Sequence, residues 1–384
     1  MKISCSAGRD GLYHSRQLLC ACCNPPDPGA ACSGIAGRFE LHGMGHPDFT
    51  ELHELEALIA DGGHWLETQV ACEVAVGERR FPVYALALGN PDPALPVVGF
   101  FGGFHGLERI GTAVVLAYLR TLVRRLPWDS ILQRQLEAVR LVFMPIVNPG
   151  GMWRGTRANP NGVDLMRNAP VEAQEKPPFL LGGQRLSARL PWYRGPQGAA
   201  MEAENLAVCR LVEREFLSRD FGIAIDCHSG FGISDRIWFP YAHTATPIAH
   251  LPEVLALKEI YDQAHPNHRY VFEPQSRQYL AHGDLWDYLY QRASAAPERI
   301  FLPLTLEMGS WLWVKKNPRQ LFSRHGMFNP QIEHRQQRVL RRHVAWLDFL
   351  ARAACGYRLW LPDAATRERY RERALRHWYW RAKA

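Results

Sequence analysis

No stretch of this 384-residue chain approaches the roughly 20 consecutive apolar residues that cross a bilayer, and its start lacks the apolar core of a secretory signal. The expectation is a cytoplasmic protein with no membrane partner. Cysteine is not scarce, with nine residues, but Cys5, Cys20, Cys22, Cys23 and Cys32, which crowd the beginning, fit no zinc ribbon of two paired C-x-x-C motifs. Cys72, Cys209, Cys227 and Cys355 stand singly in apolar surroundings, as reduced buried thiols do. Periodic apolar pattern is absent from residues 1–46, which include Cys-Asn-Pro-Pro-Asp-Pro-Gly and read as a poorly structured extension. There is no internal repeat and no linker that would divide residues 47–384, so one domain is expected there. The net charge of +7 is diffuse except between Thr366 and Ala384, where arginines alternate with aromatics. A solvated terminal helix accounts for that tail, and no nucleic-acid partner is expected.

What is present is an alternation of strand-like and helix-like segments. Phe49 to Ala60 carries Leu52, Leu55, Leu58 and Ile59 on one helical stripe, and strands follow around Glu67 to Val76 and Phe81 to Leu88. Pro96 to Phe104 is a continuous apolar run suited to a strand buried on both faces. Ile110 to Leu126 is an amphipathic helix, Val139 to Val147 a strand stopped by Asn148-Pro-Gly-Gly, and Met201 to Ser218 another helix. Phe221 to Asp226 and Arg299 to Glu307 complete the strands, with Pro303 arguing for an edge position or a bulge in the last. Residues 149–200 are rich in Gly, Pro, Asn and Arg, and are too long for an ordinary connection. The pattern predicts a layered α/β fold, whose sites lie beyond the carboxyl ends of the strands.

Chemistry-bearing residues fall at those ends: His105-Gly-Leu-Glu108, Trp153-Arg154, Asp164-Leu-Met-Arg167, Asp226-Cys-His228 and Glu307. A catalytic zinc takes three ligands of the His, Glu or Cys type and keeps a position for water. His105, Glu108 and His228 supply two imidazoles and a carboxylate, although other divalent ions suit the same donors. Water activated by zinc needs a carboxylate to accept its proton, and Glu307 is the expected general base. Negative charge developing on oxygen needs a fixed cation, for which Arg154 is the first choice and Arg157 the lesser one. A substrate carboxylate needs a forked donor, which Arg167 provides.

From about Pro47 to Phe328 these residues resemble the M14 zinc carboxypeptidase family, including its bacterial carboxypeptidase-like members. The resemblance implies a three-layer α/β/α fold with a mixed, mostly parallel sheet, and one zinc ion held by His105, Glu108 and His228. It implies that Arg154 polarises the scissile carbonyl, that Arg167 of Gly162-Val-Asp-Leu-Met-Arg-Asn168 binds the terminal carboxylate, and that Glu307 is the base. Asp164 would orient His105, and Tyr279, ahead of its competitors Tyr288 and Tyr290, would close over substrate. Two departures stand out: Met166 occupies a position where the family has Asn and cannot donate a hydrogen bond, and Gly-Leu separates His105 from Glu108. The second is shared with aspartoacylase-like and succinylglutamate desuccinylase-like deacylases. The expected activity is therefore hydrolysis of a peptide or amide bond next to a carboxylate. The alternatives are an N-acyl amino acid deacylase and a non-catalytic peptide-binding relative.

Overall fold

A computed structural model describes residues 49–323 and 325–380. The extension expected over residues 1–46 lies outside them. Helix α1 (Thr50–Gly62) leads into the antiparallel pair β1 (Glu67–Val76) and β2 (Arg79–Gly89), followed by β3 (Val97–Gly102), α2 (Arg109–Arg125), α3 (Ser130–Glu137), β4 (Arg140–Met144) and α4 (Pro149–Arg154). After a long loop come α5 (Ala203–Glu215), β5 (Phe221–Ser229), β6 (Arg236–Phe239), α6 (Leu251–Ala264), β7 (Val271–Pro274), α7 (Leu285–Ala293), β8 (Ile300–Met308) and α8 (Trp311–Lys316). The chain ends in α9 (Glu333–Cys355), α10 (Tyr357–Trp360) and α11 (Ala364–Trp378).

The strands form one eight-stranded mixed sheet in the order β1-β2-β4-β3-β5-β8-β6-β7. Its middle, β4-β3-β5-β8, is parallel throughout. Every residue of β3, β4 and β5 is buried, which is why these strands read as unbroken apolar runs rather than alternations. Successive side chains still face opposite ways: Phe100 packs on Tyr118 of α2 at 5.0 Å, while Phe101 packs on Trp286 of α7 at 5.0 Å. Helices therefore cover both faces, as a three-layer α/β/α fold requires.

One expectation holds only locally and another needs correction. β8 is not an edge strand, because it lies between β5 and β6, with Pro303 paired opposite Ala224. The ladder to β6 runs only from Thr305 to Glu307, so at Pro303 the strand is paired on one side, the local edge position that proline tolerates. The basic tail is not simply solvated. Ala374 and Trp378 of α11 are buried, Trp378 Nε1 donates to Phe272 O at 2.7 Å, and Arg367 Nε donates to Glu253 at 2.7 Å. Among the described residues no helix is long and apolar enough to cross a membrane.

Candidate metal centre and active site

His105 and Glu108 lie in the turn between β3 and α2, and Glu108 immediately precedes the first residue of that helix. Asn148 pins the turn, donating from Nδ2 to Phe104 O at 3.0 Å while its Oδ1 caps α4 through Gly151 N at 2.7 Å. Gly106 is dictated by this packing, since a Cβ there would sit 2.0 Å from the carbonyl carbon of Gly151. The glycine of His105-Gly-Leu-Glu108 thus has a steric cause of its own.

His228 arrives from β5, in register with Glu307 on β8. Potential ligand atoms of His105, Glu108 and His228 lie within 4.8 Å of one another, and all three residues are buried. Glu108 Oε1 is 2.9 Å from His105 Nδ1, and Oε2 is 3.0 Å from His228 Nδ1. Each imidazole uses its other nitrogen on a second carboxylate: His105 Nε2 meets Asp164 Oδ1 at 3.0 Å, and His228 Nε2 meets Asp226 Oδ2 at 2.6 Å. A cation between Glu108 and the two Nδ1 atoms would take both ring lone pairs while each ring donates Nε2–H to the carboxylate behind it. The donor set is one that a divalent metal with His and Glu ligands accepts.

Without a metal, the cluster supplies positive charge itself: burial lowers the pKa of His228, but Asp226 and Glu108 outweigh it and raise it well above its ordinary range. Burial raises the pKa of Glu108, but His105 and His228 outweigh it and hold the carboxyl well below its ordinary range. Asp164 is likewise held ionised against burial, by Arg157 and then His105. Glu307 goes the other way. Burial, reinforced by the nearby Glu108 carboxylate, pushes it up to about 8 despite His228, Arg157 and the Phe231 N–H, which donates to Oε1 at 3.0 Å.

The two arginines of this segment are placed differently. Arg154, the last residue of α4, is exposed and donates from Nη1 to Pro160 O at 2.9 Å, while Trp153 packs against Phe81 and Arg79. Arg157 lies against the candidate metal ligands, with Nε donating to Asp164 Oδ2 at 2.8 Å and Nη1 to Glu108 Oε1 at 3.2 Å. The left-handed turn at Gly155, with φ of 61°, takes the chain out of α4 and carries Arg157 inward.

Arg167 is buried at the end of a single 3-10 turn, Leu165–Arg167, whose start is capped by Asp164 Oδ1 accepting from Met166 N at 3.0 Å. Its guanidinium donates to backbone carbonyls, to Met166 O at 2.9 Å and Leu181 O at 3.3 Å, and it has no ion pair among the described residues. Tyr279 is half-buried, with Arg167 Cζ 5.8 Å from its ring centre. Its competitors are engaged elsewhere: Tyr290 is bound in the core by His250, and Tyr288 by Arg292.

Residues that sequence reasoning left without a role also meet here. Ser229 N donates to Glu108 Oε2 at 2.9 Å, Phe231 N holds Glu307, and Trp286 Nε1 donates to Asp226 Oδ2 at 2.9 Å. Asp226 alone had a local signal, since residues two apart on a strand share a face.

The sequence model of the zinc carboxypeptidase family matches residues 78–315. Carboxypeptidase D of Anas platyrhynchos is 23% identical over 197 residues, covering 48% of this chain and 12% of that protein. Carboxypeptidase SOL1 of Arabidopsis thaliana is 30% identical over 93 residues, covering 23% of this chain and 19% of that protein. The chain thus spans under a fifth of the length of either relative. Among solved structures, thrombin activatable fibrinolysis inhibitor superposes with a TM-score of 0.57 at 19% identity, over 81% of this chain and 73% of that one, a likeness of fold.

Proposed function

The chain belongs to the zinc carboxypeptidase family, and from that premise we propose that it is a zinc-dependent hydrolase that removes a residue from the carboxyl end of a peptide. Residues 47–384 would form the catalytic domain. The observation that carries this reading is the pair of imidazoles directed at one carboxylate, each backed by another carboxylate, with a high-pKa glutamate alongside. A zinc ion bound there supplies Lewis acidity, polarising a carbonyl and lowering the pKa of water to about 7.

The chain's own residues supply the rest. Glu307 Oε1 is engaged by Phe231 N, which leaves Oε2 to take a proton from the attacking water and return it to the departing amine. Arg157 keeps Nη2 without a hydrogen-bond partner among the described residues, placing a donor for the oxygen on which charge develops. Arg167, buried with no carboxylate ion pair among the described residues, is suited to the substrate's terminal carboxylate, and Tyr279 is suited to cover it. Met166 leaves that carboxylate with one side-chain donor fewer than the family pattern provides.

The test is release of the C-terminal amino acid from a panel of peptides by metal-stripped and zinc-reconstituted protein, run beside N-acyl amino acids. Zinc-dependent peptide trimming supports the carboxypeptidase reading. Cleavage of N-acyl amino acids alone would replace it with a deacylase, and zinc binding without either activity with a peptide-binding protein.

A further inference from the structure

The two imidazoles are oriented by different means. Asp164, behind His105, has both oxygens engaged: Oδ1 takes His105 Nε2 and Met166 N, and Oδ2 takes Arg157 Nε. Asp226, behind His228, is fully buried, yet its Oδ1 has no hydrogen-bond partner. Everything it accepts falls on Oδ2: His228 Nε2 at 2.6 Å and the indole Nε1 of Trp286 at 2.9 Å. A carboxylate held through one oxygen is free to turn unless a second donor fixes that oxygen, and here the second donor is Trp286.

The indole is itself immobilised. Trp286 is buried and meets Phe101 edge-on at 5.0 Å and Phe104 at 6.3 Å, while Phe104 stacks on the His228 ring at 6.0 Å. Trp286 belongs to the first turn of α7, and the residues before that helix are packed on the candidate carboxylate clamp. Gly283 O accepts from Ala169 N at 3.0 Å, and a Cβ at Gly283 would lie 1.9 Å from Arg167 O. The start of α7 therefore touches both halves of the site.

We infer that Trp286 is a positioning residue for the metal centre: through Asp226 its indole N–H sets the orientation of the His228 ring, and with it the affinity for a divalent metal. This rests on the reading of His105, Glu108 and His228 as the metal site. Partners that orient ligating histidines typically change metal affinity by about 10–100-fold when removed.

The experiment measures zinc affinity by competition with a chromogenic chelator, together with thermal stability of the metal-free protein. Trp286→Phe removes the N–H and keeps an aromatic ring. Trp378→Phe is the control, because it removes an equally buried indole N–H, bonded to Phe272 O at 2.7 Å, in a helix outside the site. The expected result is a loss of zinc affinity of about tenfold or more in Trp286→Phe and less than about twofold in Trp378→Phe. Asp226→Asn, which keeps the shape and removes the charge, is expected to lose at least as much as Trp286→Phe and provides a second test if that variant does not fold. Unchanged affinity in Trp286→Phe or in Asp226→Asn, or an equal loss in Trp378→Phe, would overturn the inference. A wild-type protein that binds no zinc would instead overturn the metal-site reading beneath it.

Discussion

Replacing Arg157 by alanine separates the geometry from the motif. Arg157 donates to two buried carboxylates, Asp164 and Glu108, and keeps about a quarter of its side chain exposed. Hydrogen bonds to charged groups contribute roughly 1.5–3 kcal/mol each, and the water that reaches the exposed quarter offsets part of that, so the metal-free protein should lose about 2–4 kcal/mol of stability. Zinc on Glu108 would compensate some of the lost positive charge, making the loss smaller in the loaded protein. Removal of a donor aimed at a developing oxyanion costs about 10²–10³-fold in kcat, or roughly 3–4 kcal/mol. Arg157→Lys keeps the charge without the fork and should recover stability better than rate. Arg154→Ala, at an exposed position, should shift stability by no more than about 0.5 kcal/mol and leave kcat near the wild-type value. Steady-state kinetics on a C-terminally free peptide, with thermal unfolding with and without zinc, give all of these numbers. A hundredfold loss of kcat in Arg154→Ala with a near-normal Arg157→Ala would refute the assignment and restore the order suggested by the Trp-Arg motif.

Glu307→Gln should retain zinc but lose about 10²–10⁴-fold in hydrolysis, and full activity would sink the proposed base. The same variant carries a pH signature in the metal-free protein. With its pKa moved from 4.5 to about 8, the folded state holds a proton that the unfolded state releases across that window. Glu307 therefore costs stability progressively as pH rises through it, roughly 1.4 kcal/mol per pH unit, and the glutamine variant should lack this slope in unfolding experiments between about pH 5 and 8. Arg167→Ala should raise KM by about 10–100-fold for peptides with a free terminal carboxylate, the equivalent of one buried charge-assisted contact. Peptides amidated at the C-terminus should show no such change, and an equal effect on both would remove Arg167 from carboxylate recognition.

The grouping of the candidate metal ligands was legible in the sequence because their signals are local. His105 and Glu108 follow a glycine-bounded strand, and His228 and Glu307 occupy matched positions on neighbouring parallel strands, so the alternation that predicts the sheet also predicts their convergence. The buried strands were legible for the same reason, since burial on both faces leaves an unbroken apolar run. Strands β6 and β7, of four residues each, are too short to show a period. Pro303 reported its own one-sided position but not that of the whole strand, because where the β6 ladder stops is set by tertiary structure.

Other decisions rest on contacts between distant segments. Whether Arg154 or Arg157 reaches Asp164 depends on a left-handed turn at Gly155 and on the path of the chain to the 3-10 turn. The binding of Trp286 to Asp226 joins residues 60 apart through the packing of α7 against the sheet at β8. Docking of α11 onto Glu253 and Phe272 turns an outwardly basic tail into a packed helix. The sequence by itself determined which chemical groups stand at the ends of the strands, because strand and helix periods are properties of consecutive residues. Only the tertiary structure decided which of those groups meet and which backbone groups hold them, because such pairings are set by packing across the sheet.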